Sequence, residues 1–208
     1  MVTRSKQSTA SSLQGSGQNV DPLPGTREPG VTLWFTGLSG AGKSTLSEAL
    51  AQYLVDHYAV PVEVLDGDAI REHLSSELGF SQADRDRQVG RVAYLASLLS
   101  KHGVFAISAL ISPYRQARQK ARELTEAYQG RFIEIYVHAP LEVLIERDTK
   151  GLYARALNGE LANLTGVNDP YEAPEQPEIT IDTTEHSIES ALGRIVDYLT
   201  SEGLLDAQ

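Results

Sequence analysis

The chain has 208 residues, 41% of them hydrophobic, which is enough to bury one α/β domain. With no cysteine it has neither a disulfide framework nor a thiolate zinc site, which fits a reducing, cytoplasmic setting. A formal net charge of −10 argues against general nucleic-acid binding, and no apolar run approaches membrane-spanning length, so neither kind of partner is expected.

Residues 1 to about 30 are rich in Ser, Gln, Gly, Thr and Pro, with little apolar content to anchor them. They read as a disordered tail preceding a domain at 31–208. The apolar run Val31-Thr32-Leu33-Trp34-Phe35-Thr36 then leads directly into Gly37-Leu38-Ser39-Gly40-Ala41-Gly42-Lys43-Ser44. This satisfies the phosphate-binding loop pattern G-x-x-x-x-G-K-[ST] between a strand and a helix. Its glycines let successive N–H groups turn inward around an anion, and the helix that follows points its positive dipole end at the same place. Lys43 would bridge the outer phosphates of a nucleoside triphosphate, and Ser44 would be a ligand for Mg²⁺.

Alternation of strands and helices continues to the end. Leu46, Ala49, Leu50, Tyr53 and Leu54 recur at helical spacing through about His57. Residues 61–66 form a second strand ending in the acidic turn Asp66-Gly67-Asp68. Between Asp86 and Lys101, Val89, Val92, Ala93, Ala96 and Leu99 make one helical stripe, closed by Gly103. The nearly continuous apolar run 104–111 fits a buried parallel strand. It stops at Ser112-Pro113-Tyr114-Arg115, and a polar helix follows to about Gln129. Residues 132–137 make a fourth strand, Pro140 opens a short helix over 141–147, and 179–181 is a last short strand before a closing helix. Residues 149–177 show no sustained period, and so long a stretch inside a compact domain reads as an active-site lid. The expected fold is α/β: a three-layer sandwich of the P-loop NTPase type, with a five-stranded parallel sheet and a lid. Ligands of such sheets sit at the carboxyl ends of the strands, where the polar segments here converge.

Asp66 and Asp68 stand where acids serve a phosphate loop. Asp66 would hold the metal and Asp68 would take a proton from an attacking hydroxyl; a plain Asx turn is the competing explanation. Arg71, Arg85, Arg87 and Arg91 concentrate positive charge in an otherwise acidic chain, which suits phosphate or sulfate oxygens or, alternatively, a solvated helix face. Ser112 would place a hydroxyl in the crevice, or simply cap the next helix. Arg147 and Lys150 would meet phosphates when the lid closes.

Several stretches together resemble the adenylylsulfate kinases: the loop at 37–45, Leu65-Asp66-Gly67-Asp68, Leu78-Gly79-Phe80-Ser81 with Asp84-Arg85, and Ile111-Ser112-Pro113-Tyr114-Arg115. Ala139-Pro140-Leu141-Glu142-Val143, Arg147-Asp148, Lys150-Gly151-Leu152-Tyr153, Thr165-Gly166 and Asp169-Pro170-Tyr171-Glu172-Ala173-Pro174 continue the match in family order. The resemblance implies transfer of the γ-phosphoryl group of MgATP to the ribose 3′-hydroxyl of adenosine 5′-phosphosulfate, as in sulfate assimilation. It makes Gly37, Ser39, Gly40, Ala41, Gly42, Lys43, Ser44, Thr45 and Arg147 donor contacts, and Ser44 and Asp66 the metal-side oxygens. Asp68 becomes the general base, with Lys43, Ser112 and Lys150 as further catalytic positions. Arg71, Phe80, Arg85, Gln88, Ile111, Ser112, Lys150, Leu152, Leu164 and Thr165 become acceptor contacts. Ser112 matches a serine described in the family as a phosphoserine, although direct in-line transfer needs no covalent enzyme step. A homodimer is a further expectation of the resemblance.

Departures from the family pattern fall mainly on the acceptor side: Ala69, Arg87-Gln88, Gly90, Leu157, Ala162, and Leu164 in place of a phenylalanine. Aromatic stacking on a base is worth roughly 1–3 kcal/mol, so the last change bears on acceptor choice. The competing readings are a related kinase for another nucleotide-like acceptor, and a non-catalytic nucleotide-binding regulator.

Overall fold

The computed structural model describes residues 29–206, and the expected tail lies outside them except for its last two residues. Of those, Gly30 already belongs to the fold. It is buried, its N–H donates to the Ser100 carbonyl at 2.6 Å, and its carbonyl accepts from the Arg131 N–H at 3.3 Å.

The elements run β1 (Val31–Thr36), α1 (Lys43–Tyr58), β2 (Val62–Asp66), α2 (Gly67–Leu74), α3 (Gln82–Lys101) and β3 (Phe105–Ala109). They continue with α4 (Arg115–Ala127), β4 (Arg131–His138), α5 (Leu141–Arg147), α6 (Leu152–Leu157), β5 (Ile179–Asp182) and α7 (Ile188–Ser201). All strand pairs are parallel, in the order β2-β3-β1-β4-β5, giving the expected five-stranded sheet. Because side chains alternate across a strand, β1 feeds two cores at once. Val31, Leu33 and Phe35 pack with Leu46, Leu50 and Leu54 of α1 and Ala191, Ile195 and Leu199 of α7. Trp34 points the other way, into a second core with Val89, Val92 and Ala96 of α3 and Ala117 and Ala121 of α4. The sheet is thus covered on both faces, and the polar ends of its strands gather along one edge.

Two helices escaped the sequence reading. Asp66-Gly67-Asp68 is the start of α2, not an isolated turn: the Asp66 Oδ1 accepts from the N–H groups of Asp68 at 2.9 Å and Ala69 at 3.1 Å. Helix α6 lies inside the stretch read as an unstructured lid, and its Tyr153 and Ala156 are buried in the first core. Helix α3 begins at Gln82, four residues before the Asp86 read from sequence, because Ser81 caps it by accepting from the Asp84 N–H.

The chain leaves β1 through Gly37, whose φ of 147° is open to glycine and rarely to other residues. A Cβ there would lie 2.1 Å from the Val137 carbonyl oxygen of β4, a backbone atom that cannot move without breaking sheet register. Gly37→Ala is expected to lower folding stability by about 1–3 kcal/mol, the usual cost of overpacking, read as a lower denaturant midpoint. A midpoint equal to that of the parent protein would show that the loop can leave β1 by another route.

Candidate active site

The loop after β1 is built for an anion. Gly40 and Gly42 have φ of 74° and 102°, and Gly42 occupies the N-cap of α1 with no side chain satisfying the first N–H groups of the helix. Those donors, added to the helix dipole, leave a site for phosphate oxygens. Lys43 is buried, and its Nζ donates to the Leu38 carbonyl at 2.8 Å. Burial, and then the charge of Lys150, push its pKa down to about 8, while Asp68 and Asp66 pull the other way. The loop is braced from below: Tyr153 donates its hydroxyl to the Ser39 carbonyl at 2.9 Å, with its ring in the core. Ala41 also faces the core, so its place in the loop is a packing position.

At the end of β2, Asp66 makes the local cap and also faces the phosphate loop. Asp66 caps α2 through one oxygen and with the other accepts from the Ser44 hydroxyl at 3.1 Å. These are hard oxygen donors beside a phosphate loop, the set that suits Mg²⁺, which is usually held by one or two protein oxygens, waters and phosphates. Among the described residues there is no group of three or more His, Asp or Glu side chains that could hold a metal by themselves. Asp68, exposed, accepts from Lys150 Nζ at 2.7 Å.

A cleft of about 520 Å³ opens between the loop, α2, α3 and the 149–164 segment. Ser39, Gly40, Gly42, Lys43, Ser44 and Thr45 line one end; Asp66, Asp68, Arg71, Phe80, Arg85 and Gln88 line another. Ile111, Ser112, Lys150, Leu152 and Leu164 also line it, as do Thr149, Leu161 and Asn163, which the sequence reading did not name; Gly37, Ala41, Arg147 and Thr165, which it did name, are not in the lining. The arginine cluster divides. Arg71 donates to the carbonyls of Leu78 and Gly79 at 3.1 and 2.9 Å, with its guanidinium 4.7 Å from the Phe80 ring centre. Arg85 donates to the Phe80 and Asn163 carbonyls and pairs with Asp169 at 3.4 Å. Burial lowers the Arg85 pKa, and Asp169 opposes that shift. Arg87 and Arg91 instead face Asp84 and Glu77 on the outside. Gln88 is buried, with Nε2 donating to the Gly67 carbonyl and Oε1 without a partner among the described residues.

Ser112 is not a helix cap. Helix α4 starts at Arg115 with Tyr114 as its N-cap, and Ser112 sits at φ 38°, accepting from Trp34 Nε1 at 3.1 Å. Thr165 is fully buried behind the cleft wall, in a bridge with Asp169, and its hydroxyl has no partner among the described residues. Arg147 lies on the opposite side of the loop, donating to the Thr183 hydroxyl at 3.0 Å and the Thr183 carbonyl at 3.1 Å. Thr183 in turn approaches Gly42, where an added Cβ would meet its methyl at 3.6 Å. Tyr153, Tyr171, Arg118 and Glu172, which brace these parts, carried no assigned role in the sequence reading, because each depends on a partner remote along the chain.

A profile of the family described as adenylylsulphate kinase matches residues 29–182. The adenylyl-sulfate kinase of Myxococcus xanthus is 54% identical over 181 residues, covering 87% of this chain and 97% of the relative. That of a Synechococcus strain (JA-3-3Ab) is 52% identical over 176 residues, covering 85% and 97%. Among solved structures, the Mycobacterium tuberculosis APS kinase CysC in complex with AMPPNP and APS superimposes with a TM-score of 0.81 at 36% identity, covering 84% of this chain and 99% of that one. A gluconokinase from Sinorhizobium meliloti, at 21% identity and a TM-score of 0.55, shares the fold alone.

Because its burial is unfavourable to charge, Lys43 holds its place against stability. Lys43→Met should leave the melting temperature equal to or above that of the parent, while weakening binding of a nucleoside triphosphate at least about tenfold. A melting temperature several degrees lower would mean that the ammonium stabilises the empty loop.

Proposed function

The chain belongs to the adenylylsulfate kinase family, and on that premise we propose that it transfers the γ-phosphoryl group of ATP to the ribose 3′-hydroxyl of adenosine 5′-phosphosulfate, giving 3′-phosphoadenylylsulfate and ADP. The observation that carries this reading is the union, in one cleft, of an uncapped phosphate loop with Asp68 and two guanidinium-bearing side chains across from it. ATP occupies the loop, with its base directed toward Arg147 and Thr183 on the side away from the cleft. Ser44 and Asp66 would hold Mg²⁺, which when bound would neutralise part of the phosphate charge. Lys43 holds the outer phosphate oxygens and matches the charge that builds on them in the transition state.

The acceptor fills the cleft. Arg71 and Arg85, each already tied to backbone carbonyls, present their remaining N–H groups to the phosphosulfate in a fixed orientation. Phe80, Leu152 and Leu164 form the apolar walls for the base. Asp68 takes the proton as the 3′-oxygen attacks phosphorus, and Lys150, which donates to that carboxylate at 2.7 Å, holds it in place until the acceptor arrives. Water is kept from the donor by closure of the 149–177 segment. Transfer is direct: the Ser112 hydroxyl, 2% exposed and engaged by Trp34, serves as a contact and not as a phosphate carrier. Among the described residues no helix is long and apolar enough to cross a membrane. A self-associating state is supported by one relative, the hexameric APS kinase of Thiobacillus denitrificans, at 42% identity and a TM-score of 0.67, of which the match covers 31%.

Turnover measured on adenylylsulfate and on a panel of nucleotide and nucleoside acceptors should be highest on adenylylsulfate. No turnover on it, with turnover on another acceptor, would overturn the reading. Asp68→Asn should reduce kcat by about 10²–10⁴-fold while leaving ATP affinity within about twofold, as expected for loss of a general base.

A further inference from the structure

We infer that Arg118 is a positioning residue for the acceptor half of the reaction: its guanidinium holds the Ser112 turn and the 171–173 limb of the lid segment in one fixed arrangement. The inference rests on the reading above that this cleft takes the acceptor nucleotide. Arg118 lies on α4, is 3% exposed, and is not among the residues that line the cleft. Each arm of its fork meets a different part of the chain. Nε donates to Glu134 Oε1 of β4 at 2.6 Å, Nη1 to the Ser112 carbonyl at 2.7 Å, and Nη2 to the Glu172 carbonyl at 2.7 Å. A planar, rigid guanidinium fixes the relative geometry of three acceptors, which a single-point ammonium cannot do.

Ser112 needs such a hold. Its φ of 38° lies in the left-handed region, which non-glycine residues enter at a cost and keep only when their surroundings enforce it. Arg118 grips its carbonyl and Trp34 grips its hydroxyl, so the turn is fixed through both backbone and side chain. The limb is joined to the same turn at further points. The Glu172 N–H donates to the Pro113 carbonyl at 2.9 Å, and the Glu172 carboxylate accepts from the Arg115 N–H at 2.8 Å. Tyr171, 5.9 Å from the Arg118 guanidinium, shares a hydrogen bond with Thr36, whose hydroxyl donates to the Ile111 carbonyl. Ile111, Ser112 and Pro113 line the cleft, so displacement of this unit moves the acceptor wall, whereas the hydrogen bonds of Arg118 reach no residue of the phosphate loop. A buried ion pair is by itself a poor stabiliser compared with apolar residues of the same volume, which leaves the geometry imposed by the fork as its distinctive contribution.

Arg118→Lys keeps a positive charge near Glu134 and removes the fork. The KM for adenylylsulfate should rise about tenfold or more while the KM for ATP stays within about twofold. Trp34 is the only tryptophan in the chain, so its emission spectrum reports the Ser112 contact directly and should change in the variant. The double variant Arg118→Met with Glu134→Met leaves no unpaired buried charge and should reproduce the same KM split, which guards against a single variant that fails to fold. Unchanged KM values, or a parallel rise in both with an unaltered Trp34 spectrum, would overturn the inference. If the parent protein itself fails to phosphorylate adenylylsulfate, the functional reading falls, and the Trp34 spectrum still decides whether Arg118 sets the Ser112 turn.

Discussion

The structure is organised around an ammonium group in the wrong place for its own comfort. Lys43 is buried at the edge of the sheet, held by the carbonyl of Leu38, with a pKa pushed down to about 8. A lysine whose pKa is lower folded than unfolded binds fewer protons in the native state between those two values. Stability from this group therefore rises as pH climbs from about 8 toward 10.5, and below that range the charge is carried at a cost. Asp66 and Asp68 oppose the shift without cancelling it, and Lys150 adds to it. An anion on the loop resolves the conflict, because it brings negative charge to the ammonium and to the uncapped N–H groups of α1 at once. The buried ammonium and the uncapped N–H groups both favour an anion at this loop, and that shared preference is what suits it to phosphate.

Sheet order explains how the other groups reach the same place. Strand β2 stands beyond β3, one strand removed from β1, so the acids at its end face the loop across the end of β3. The distance from Ser44 to Asp66 closes to 3.1 Å because α1 starts immediately after the loop and α2 immediately after β2. On the acceptor side the chain is short of positive charge, and it uses what it has with little freedom. Arg71, Arg85 and Arg118 each spend donors on main-chain carbonyls, which fixes their planes before any ligand arrives. By contrast the pair Lys150–Asp68 is exposed on both sides and contributes no more than about 1 kcal/mol, so acceptor binding can break it easily.

The strands and the long helices were legible because their burial leaves a strong pattern: central parallel strands are apolar on both faces, and α1, α3 and α7 each carry a stripe. Helices α2 and α6 were not. Each is eight residues or fewer, α2 opens on a glycine, and neither has room for a periodic stripe; only the capping carboxylate of Asp66 marked the first. At the site, the phosphate loop could be read as a local motif because its chemistry comes from consecutive residues. Arg87 and Arg91 were indistinguishable from Arg71 and Arg85 by composition, since which faces of α2 and α3 look into the cleft depends on packing. Tyr153 and Arg118 were invisible for another reason. Ser39 lies 114 residues from Tyr153, and Glu172 lies 54 from Arg118, and no local pattern encodes such pairings.

Leu164 is the departure from the family pattern with the clearest structural consequence. It is 6% exposed and lines the cleft, with Leu152 and Leu161 on the same wall, while Phe80 stays 53% exposed beneath the Arg71 guanidinium. On the proposed function, an acceptor base in this cleft would meet one aromatic ring and an aliphatic wall, not two rings. Burying a leucine side chain is worth about 1.5–3 kcal/mol and stacking a base on an aromatic about 1–3 kcal/mol. These magnitudes overlap, so the exchange need not cost affinity. What it removes is the planar constraint on one face of the base. With that constraint gone, orientation of the acceptor falls more heavily on the polar end of the cleft, on Arg71, Arg85 and the turn at Ser112. The positions that depart from the family pattern and the residues that hold the turn are in this sense one problem: a looser grip on the base demands a stiffer grip on the ribose and phosphosulfate.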